Sequence, residues 1–198
     1  SRNLIRVFFL QNKLKAQLPR SESPIKNIHV IGAGIMGGDI ASWCALRGFN
    51  VTLQDRSLED ITPALNRAET LFNKRVRGDS AREQTKKRLI SDVTGSGIAK
   101  ADLIIEAIYE NLEAKKALYK EVESQMKSTA ILATNTSSIL LEDLRANLAQ
   151  PQKFIGLHFF NPVAQLPLVE IIKCDDTDPE TLQIGFNFVK GIGKSPLI

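Results

Sequence analysis

The sequence predicts an α/β protein with a doubly wound, mainly parallel sheet that carries helices on both faces. Short apolar segments alternate with longer amphipathic segments from residue 25 onward, a pattern typical of alternating strands and helices. Hydrophobicity is almost continuous within each apolar segment, as in strands that are buried on both faces of a parallel sheet. A long, highly charged segment after the second strand predicts a helical excursion there.

Each element is predicted from its pattern of apolar residues and from the turn residues that bound it. Strands are predicted at 28–31, 51–54, 103–107, 130–133, 154–160 and 168–172, and a further strand is expected to begin at 195. Helices are predicted at 36–47, 58–89, 112–126 and 179–189. The segment 58–89 is the charged excursion, and we expect Gly78 and Asp79 to interrupt it.

The chain divides into a short N-terminal part, residues 1–23, and a main domain, residues 24–198. Apolar residues recur at helical spacing over 4–18, and the following stretch contains prolines and serines that break the helix. The first part is therefore predicted to be a connecting helix and linker. Because the chain begins at Ser1 and ends within an expected strand, we expect both ends to be boundaries inside a longer protein.

The composition is ordinary for a soluble globular protein. Hydrophobic residues make up 43% of the chain, and no apolar run approaches the roughly 20 residues that cross a bilayer. The net charge of +4 suits an anionic ligand, but with 6% aromatic residues no nucleic-acid partner is expected. Cys44 and Cys174 lack paired spacing, so we expect no disulfide framework, no metal and a reducing compartment. Since no targeting segment is visible, a cytoplasmic location is expected.

A glycine-rich turn follows the first predicted strand and opens the first predicted helix. It carries Gly32, Gly34 and Gly37 at GxGxxG spacing, and the second strand is followed by Asp55, close to the expected offset of about 20 residues. Gly32 permits the tight turn, Gly34 lets a pyrophosphate approach the backbone, and Gly37 lets the helix pack closely. The N–H groups at the helix N-terminus would hold the phosphate charge. This pattern predicts a Rossmann-like dinucleotide site.

Asp55 favours NAD over NADP as the dinucleotide. Its carboxylate can accept hydrogen bonds from the adenosine ribose hydroxyls and would repel a 2′-phosphate. The neighbouring Arg56 leaves NADP open, because an arginine at this place can accommodate that phosphate. Two further interpretations also stay open: a glycine turn without a ligand, and another Rossmann-type protein such as a methyltransferase, which the glycine spacing disfavours.

The chain has two histidines, and His158 is the one placed for catalysis. It ends an apolar strand, where ligands bind in open α/β sheets, whereas His29 lies within the first strand and is expected to be structural. An enzyme that oxidises an alcohol needs a base for the hydroxyl proton, and imidazole titrates near neutral pH. Glu170 interrupts a later apolar strand, so we predict a buried carboxylate that orients the imidazole. The alternative is that His158 merely closes its strand while Glu170 faces water at a sheet edge.

A polar segment at 135–138 follows the strand at 130–133 and precedes an apolar run. It contains Asn135, Thr136, Ser137 and Ser138. Because serine and threonine favour helix N-caps, one hydroxyl is expected to cap a following helix while another contacts a ligand.

The chain resembles the 3-hydroxyacyl-CoA dehydrogenase family from about residue 25 to its end. The motifs GAGIMG, IEAIYEN, NTSS, GLHFFNP and LVEII occur in the order and at the spacing of that family. The N-terminal segment SRNLIRVFFLQNKLKA resembles the connecting helix of multifunctional β-oxidation α-subunits, in which an enoyl-CoA hydratase part precedes the dehydrogenase part. The resemblance implies NAD-dependent oxidation of L-3-hydroxyacyl-CoA to 3-ketoacyl-CoA in fatty-acid β-oxidation.

The same resemblance implies roles for individual residues. His158 would be the catalytic base, Glu170 its partner, and Ser137 the group that binds the substrate 3-oxygen near the nicotinamide. The cofactor-binding residues that it implies are Gly32, Gly34, Met36, Gly37, Asp55, Ile108, Tyr109, Glu110, Lys115, Ser137 and Asn161. Without the resemblance, Lys115 would be interpreted as a solvated helix lysine.

The resemblance also implies partners for this domain. An acyl-CoA substrate is expected, and its phosphates would suit the basic side chains of the helical excursion, which are otherwise a solvated surface. These side chains are Lys74, Arg75, Arg77, Lys86, Lys87 and Arg88. A C-terminal helical domain, which in the family completes the acyl-CoA site and makes dimer contacts, is expected to be absent from this chain. The isolated fragment should then bind NAD but be weakly active or inactive.

Two other functions stay open at this point. One is a dehydrogenase of another hydroxy acid on the same scaffold, which the basic excursion and the N-terminal segment disfavour. The other is a non-catalytic NAD-binding module, which would not need His158, Glu170 and Ser137 together.

Overall fold

The computed structural model describes residues 24–198, which contain one eight-stranded sheet with helices on both faces. The strands are β1 (Asn27–Ile31), β2 (Asn50–Gln54), β3 (Leu89–Asp92), β4 (Leu103–Glu106), β5 (Ile131–Thr134), β6 (Phe154–Phe159), β7 (Leu168–Ile172) and β8 (Ser195–Leu197). The helices are α1 (Ile35–Leu46), α2 (Leu58–Arg75), α3 (Asp79–Lys87), α4 (Leu112–Gln125), α5 (Leu141–Arg145) and α6 (Pro179–Gly191). Within this range, no helix combines the length and apolar character that crossing a membrane requires. The helix and linker predicted for 1–23 lie outside the described residues.

The strands follow the order β3-β2-β1-β4-β5-β6-β7-β8 across the sheet. Strands β1 to β6 pair in parallel, whereas β7 runs antiparallel to β6 and parallel to β8. From β1 the chain first builds the sheet in one direction and then, from β4 onward, in the other. In such sheets ligands bind at the carboxyl ends of the strands where the direction changes, which are here β1 and β4.

Alternate residues of each central strand face opposite sides of the sheet and build one core layer on each side. In β4, Leu103 and Ile105 pack into the layer beneath α1, α2 and α6, whereas Ile104 packs into the layer beneath α4 and α5. Phe72 of α2 and Tyr119 of α4 are buried in these two layers. Burial on both faces explains the almost continuous apolar sequence of the strands. The predicted doubly wound fold is confirmed.

The helical excursion after the second strand is also confirmed, with its interruption at Gly78, whose φ is +87°. The first of its helices begins after Ser57, whose hydroxyl accepts the Asp60 N–H at 3.1 Å. The prediction that helix extends to residue 89 is wrong, because Leu89–Asp92 is β3 and pairs with β2. This strand lies at the sheet edge and is only four residues long. Because its apolar residues follow the charged helix almost directly, the sequence pattern does not separate the two elements. A helix was expected after 135–138 without bounds, and it is the short α5.

Candidate active site

The glycine turn between β1 and α1 leaves the N-terminus of α1 open to a ligand. Gly32 has a φ of +102°, which residues with a side chain rarely adopt. A Cβ atom on Gly37 would lie 1.8 Å from the Gly32 carbonyl oxygen, whereas a Cβ atom on Gly34 would meet nothing. No side chain of the described residues caps α1, and its first turn holds no acidic residue. The N–H groups of this turn, that of Met36 among them, are therefore placed to bind an anion.

Asp55 follows β2 directly and is bonded to the glycine turn. One carboxylate oxygen accepts the Ala33 N–H at 2.7 Å, and the other accepts the Arg56 N–H at 2.8 Å. These bonds hold the acidic group at the edge of a cleft of about 530 Å³. The residues that line the cleft include Gly32, Gly34, Gln54, Asp55, Ile108 and Tyr109.

The chemistry of this cleft fits NAD. The space beside Gly34 is open, so a pyrophosphate can reach the backbone N–H groups. The Asp55 carboxylate accepts two backbone hydrogen bonds, and because a carboxylate has about four acceptor sites, ribose hydroxyls can still donate to it. Ile108 and Tyr109, the latter 71% exposed, provide apolar surface on the opposite side, where the resemblance implies cofactor contacts.

Some residues in and beside this cleft were missed by sequence reasoning. Gln54 and Val93 line it, and Val93 is brought there by the unpredicted β3. Arg67 of α2 donates to the Gly34 carbonyl at 2.9 Å and pairs with Asp39 of α1 at 3.1 Å, so it fixes the glycine turn from the neighbouring helix. A charged helix gives no sequence signal for such a role, whereas Gln54 was detectable from its place at the end of the second strand.

A buried cluster of polar groups surrounds the carboxyl end of β4. The Glu106 carboxylate, which is 0% exposed, accepts hydrogen bonds from the Lys115 ammonium at 2.6 Å and the Ile108 N–H at 2.7 Å. It also accepts hydrogen bonds from the hydroxyls of Tyr119 at 2.6 Å and Thr134 at 2.8 Å. We call Glu106, Lys115, Tyr119, Thr134 and the Ile108 N–H the Glu106 cluster. The interpretation of Lys115 as a solvated lysine is wrong, because the residue is 1% exposed and paired with a buried carboxylate.

Glu110 joins the turn after β4 to the segment after β5. Its carboxylate accepts the Thr136 hydroxyl at 2.7 Å and the Ser137 N–H at 3.0 Å. The Lys115 ammonium lies 3.8 Å from the same carboxylate. The structure thus brings together three of the residues to which the resemblance gives cofactor roles: Glu110, Lys115 and Ser137.

The segment 135–138 does not cap a helix, so that expectation is wrong. Helix α5 begins only at Leu141, and no side chain in the described part of the chain bonds its N-terminus. Thr136 instead accepts the Ile139 N–H at 3.3 Å and closes a local turn. Asn135 accepts the Phe159 N–H at 2.9 Å, which fixes this segment against β6, and Ser137 is exposed.

His158 and Glu170 meet across β6 and β7. They are register partners in the antiparallel pair, with His158 Nδ1 2.9 Å from Glu170 Oε2, so Nε2 is the nitrogen left for a substrate. The Glu170 side chain is 38% exposed, so the prediction of a buried carboxylate is wrong. The alternative of a sheet-edge position is wrong as well, because β8 pairs with β7 on its other side. His29 is buried between Thr52 and Gln54, as expected of a structural residue.

Asn161 lies in the exposed loop that connects β6 to β7. Lys194, just before β8, holds this loop from the interior by donating to the carbonyls of Val163 and of Leu166, the latter at 2.7 Å. The ammonium lies 4.5 Å from the centre of the Trp43 ring, and burial lowers the pKa of Lys194 to about 8. Sequence reasoning missed this lysine, because the residues that it contacts are far away in sequence.

The fold and the glycine turn define a dinucleotide-binding domain. The pair of His158, near the carboxyl end of β6, with Glu170 of β7 is of the kind that dehydrogenases use. The family model described as "3-hydroxyacyl-CoA dehydrogenase, NAD binding domain" matches residues 27–198. The chain therefore belongs to the 3-hydroxyacyl-CoA dehydrogenase family, and its domain is the NAD-binding one. The predicted family and the predicted cofactor are both confirmed.

Known proteins similar to this chain include longer enzymes. The fatty acid oxidation complex subunit alpha of Pseudomonas aeruginosa is 34% identical over 205 residues, which cover 100% of this chain and 29% of the relative. The chain thus spans about three tenths of the length of the curated relatives it matches. The crystal structure of 3-hydroxybutyryl-CoA dehydrogenase from Escherichia coli is 37% identical with a TM-score of 0.83, covering 87% of this chain and 38% of that one. A solved diketoreductase structure is 31% identical with a TM-score of 0.79, and the match covers 87% of this chain and 63% of that one.

Proposed function

We propose that this chain is the NAD-binding part of an enzyme that oxidises L-3-hydroxyacyl-CoA to 3-ketoacyl-CoA. The observation that carries the proposal is the His158–Glu170 pair, in which a base and its carboxylate lie 2.9 Å apart. The same sheet carries the glycine turn at its switch point. The relatives support the choice of substrate, since those named above include a fatty acid oxidation subunit and a 3-hydroxybutyryl-CoA dehydrogenase.

The proposed reaction removes a proton and a hydride from the same carbinol group. His158 Nε2 takes the proton of the 3-hydroxyl as the hydride leaves C3, and the Nδ1 proton stays in its hydrogen bond to Glu170. The negative charge of Glu170 stabilises the imidazolium that forms and fixes the ring orientation. When bound, NAD accepts the hydride. The proton remains on His158 until it passes to water.

Other residues of the site would bind and orient. Ser137 is exposed, and its hydroxyl would hydrogen-bond the substrate 3-oxygen. The Ser137 N–H donates to Glu110, which fixes the backbone that carries this hydroxyl. Asn161 would lie beside the nicotinamide, and Asp55 would bind the adenosine ribose.

The CoA part of the substrate would contact the basic helical excursion. Lys74 and Arg75 are exposed at the end of α2, and Arg75 donates to the Ala164 carbonyl of the β6–β7 loop at 3.4 Å. This contact places positive charge beside the loop that joins the two catalytic strands, where phosphates would be attracted. A C-terminal helical domain and an enoyl-CoA hydratase part are proposed as further parts of the complete protein, with homodimer contacts made by the helical domain. The length of the relatives supports additional parts.

A dehydrogenase of another hydroxy compound is the second candidate. The similarity to a diketoreductase favours it, because that protein uses the same scaffold on a different class of substrate. The basic excursion argues for a CoA thioester, since a small uncharged diketone needs no such charge.

The test is a substrate panel on the complete protein with NADH. We expect acetoacetyl-CoA to be reduced with a kcat/KM at least about tenfold above that for acetoacetate or a simple diketone, since only the thioester brings remote binding contacts. His158→Ala should remove this activity while NADH affinity stays within twofold. A preference for the diketone would support the second candidate. A folded protein that binds NADH but reduces none of the compounds would indicate a non-catalytic NAD-binding module.

A further inference from the structure

Glu106 is a buried charged group to which the proposed reaction gives no role. It ends β4, one of the two strands at the switch point, and its carboxylate accepts four hydrogen bonds. A carboxylate taken out of water is costly unless it is paired and fully hydrogen-bonded. Four donors on one side chain therefore indicate a group whose position is strongly fixed.

One oxygen of this carboxylate holds the turn that lines the cofactor cleft. Glu106 Oε1 accepts the Ile108 N–H at 2.7 Å, and it accepts the Lys115 ammonium at 2.6 Å. The Lys115 ammonium also lies 3.4 Å from the Ile108 carbonyl oxygen. Both backbone groups of Ile108, a cleft residue, are thus tied to a buried charge pair.

The other oxygen anchors the carboxylate to the core. Glu106 Oε2 accepts the Tyr119 hydroxyl from α4 and the Thr134 hydroxyl from β5. Burial and the neighbouring Glu106 charge raise the pKa of the Tyr119 phenol, so it remains a hydrogen-bond donor at any ordinary pH. The carboxylate is therefore held in place by a helix and by the adjacent strand.

A path of contacts continues from the Glu106 cluster to the segment that carries Ser137. The Lys115 ammonium lies between two carboxylates, 2.6 Å from Glu106 and 3.8 Å from Glu110. Glu110 in turn accepts the Ser137 N–H at 3.0 Å and the Thr136 hydroxyl at 2.7 Å. Lys115 thus lies between the two carboxylates, with a hydrogen bond to Glu106 and a longer charge contact to Glu110.

We propose that Glu106 is a positioning residue for both halves of the site. Through Ile108 it sets the wall of the cofactor cleft, and through Lys115 and Glu110 it sets the position of Ser137. The inference rests on the proposed function for its effect on turnover. Its effect on cofactor affinity depends only on the NAD-binding domain.

The experiment is a double-mutant cycle in the complete protein. Glu106→Gln keeps the shape of the side chain and removes its charge, and Glu110→Gln does the same one step along the path. The two single variants and the double variant are measured for NADH affinity by calorimetry, for kcat with acetoacetyl-CoA, and for thermal midpoint. Val122→Ala, a buried substitution on α4 outside the Glu106 cluster, is the stability control.

We expect Glu106→Gln to weaken NADH binding by about tenfold and to lower kcat by about tenfold. Because the two residues act along one path, the kcat loss of the double variant should be smaller than the product of the losses of the two single variants. Val122→Ala should lower the thermal midpoint while NADH affinity and kcat stay within twofold. The inference is overturned if Glu106→Gln behaves like Val122→Ala, or if the kcat losses of the two single variants multiply. If wild-type protein binds NADH but shows no turnover, the proposed function fails, and the loss of NADH affinity in Glu106→Gln still tests the role of Glu106 in the cofactor cleft.

Discussion

His158 and Glu170 occupy partner positions on β6 and β7, with His158 Nδ1 2.9 Å from Glu170 Oε2. Within residues 24–198, these two strands form the one antiparallel pair of the sheet. In an antiparallel pair, side chains at partner positions stand on the same face at close distance, and a loop can join the strands without a crossover helix. The register of the strand pair therefore sets the distance between the imidazole and the carboxylate.

Glu170→Gln tests whether the charge of this carboxylate supports catalysis. In the complete protein we expect kcat with acetoacetyl-CoA to fall by about 10²–10⁴-fold, because the amide neither stabilises an imidazolium nor fixes the ring tautomer. NADH affinity should stay within twofold, since Glu170 is remote from the glycine turn in the sheet order. Glu121→Gln makes the same chemical change at an exposed site on α4 and should leave kcat unaltered. A kcat for Glu170→Gln within threefold of wild type would exclude this role.

Gly34 and Gly37 should respond differently to alanine. A Cβ atom on Gly37 would overlap the Gly32 carbonyl, so Gly37→Ala should lower the free energy of unfolding by about 1–3 kcal/mol. A Cβ atom on Gly34 meets nothing, so Gly34→Ala should fold normally but weaken NADH binding by occupying the space for the pyrophosphate. Urea unfolding and calorimetry on both variants separate the two effects. Equal stability loss in both would contradict the geometry of the turn.

Asp55 should determine which dinucleotide binds. Asp55→Ala is expected to weaken NADH binding by about 10- to 100-fold, the range for a lost hydrogen bond to a charged group, and to bring NADPH affinity closer to that of NADH. Since Asp55 also accepts the Ala33 N–H, Asp55→Asn serves as the control that keeps an acceptor for the turn. If Asp55→Ala lowered the affinity for both nucleotides by the same factor while Asp55→Asn left both affinities unchanged, distortion of the turn would be the cause.

The stability of the chain should decrease in mild acid because of His29. Burial lowers the pKa of this imidazole below 6.5. The hydrogen bond with Gln54 and the charge of Asp92 raise the pKa and offset this shift only in part. The unfolded chain therefore binds the proton more readily than the folded one, so stability is fully present above about pH 6.5 and falls as the pH drops below it. Urea unfolding from pH 8 to pH 5 should show a decrease of up to about 1.4 kcal/mol per pH unit from this group. His29→Gln, which does not titrate, should show a smaller decrease, and an unchanged slope would contradict the assignment.

The cofactor site was largely predictable because its signals are local. Three glycines, the strand before them and Asp55 lie within one βαβ unit, so spacing alone brings them together. Arg67 was missed because its role depends on which side of α2 faces the turn. That orientation is set by packing across the sheet and not by local pattern.

The contacts of the Glu106 cluster could not be predicted from the sequence. A lysine on a charged helix looks solvated, and the partner of Lys115 is nine residues away on a different element. Its burial follows from α4 packing over the ends of β4 and β5, which places Tyr119 and Thr134 around the same carboxylate. The caps predicted for 135–138 failed for a similar reason, because the Thr136 hydroxyl donates to Glu110 in the turn after β4.

The sequence by itself determined the alternation of strands and helices and the glycine turn with its acidic residue, and it predicts His158 rather than His29 as the base. These features depend on periodicity and short spacing, which act between residues close in the chain. Only the tertiary structure decided that Glu170 is half-exposed yet not at an edge, that Lys115 is buried, and that Glu106 connects the cofactor cleft to Ser137. Such facts depend on the order and register of strands and on helix packing, which bring distant residues into contact and fix the burial that determines their chemistry.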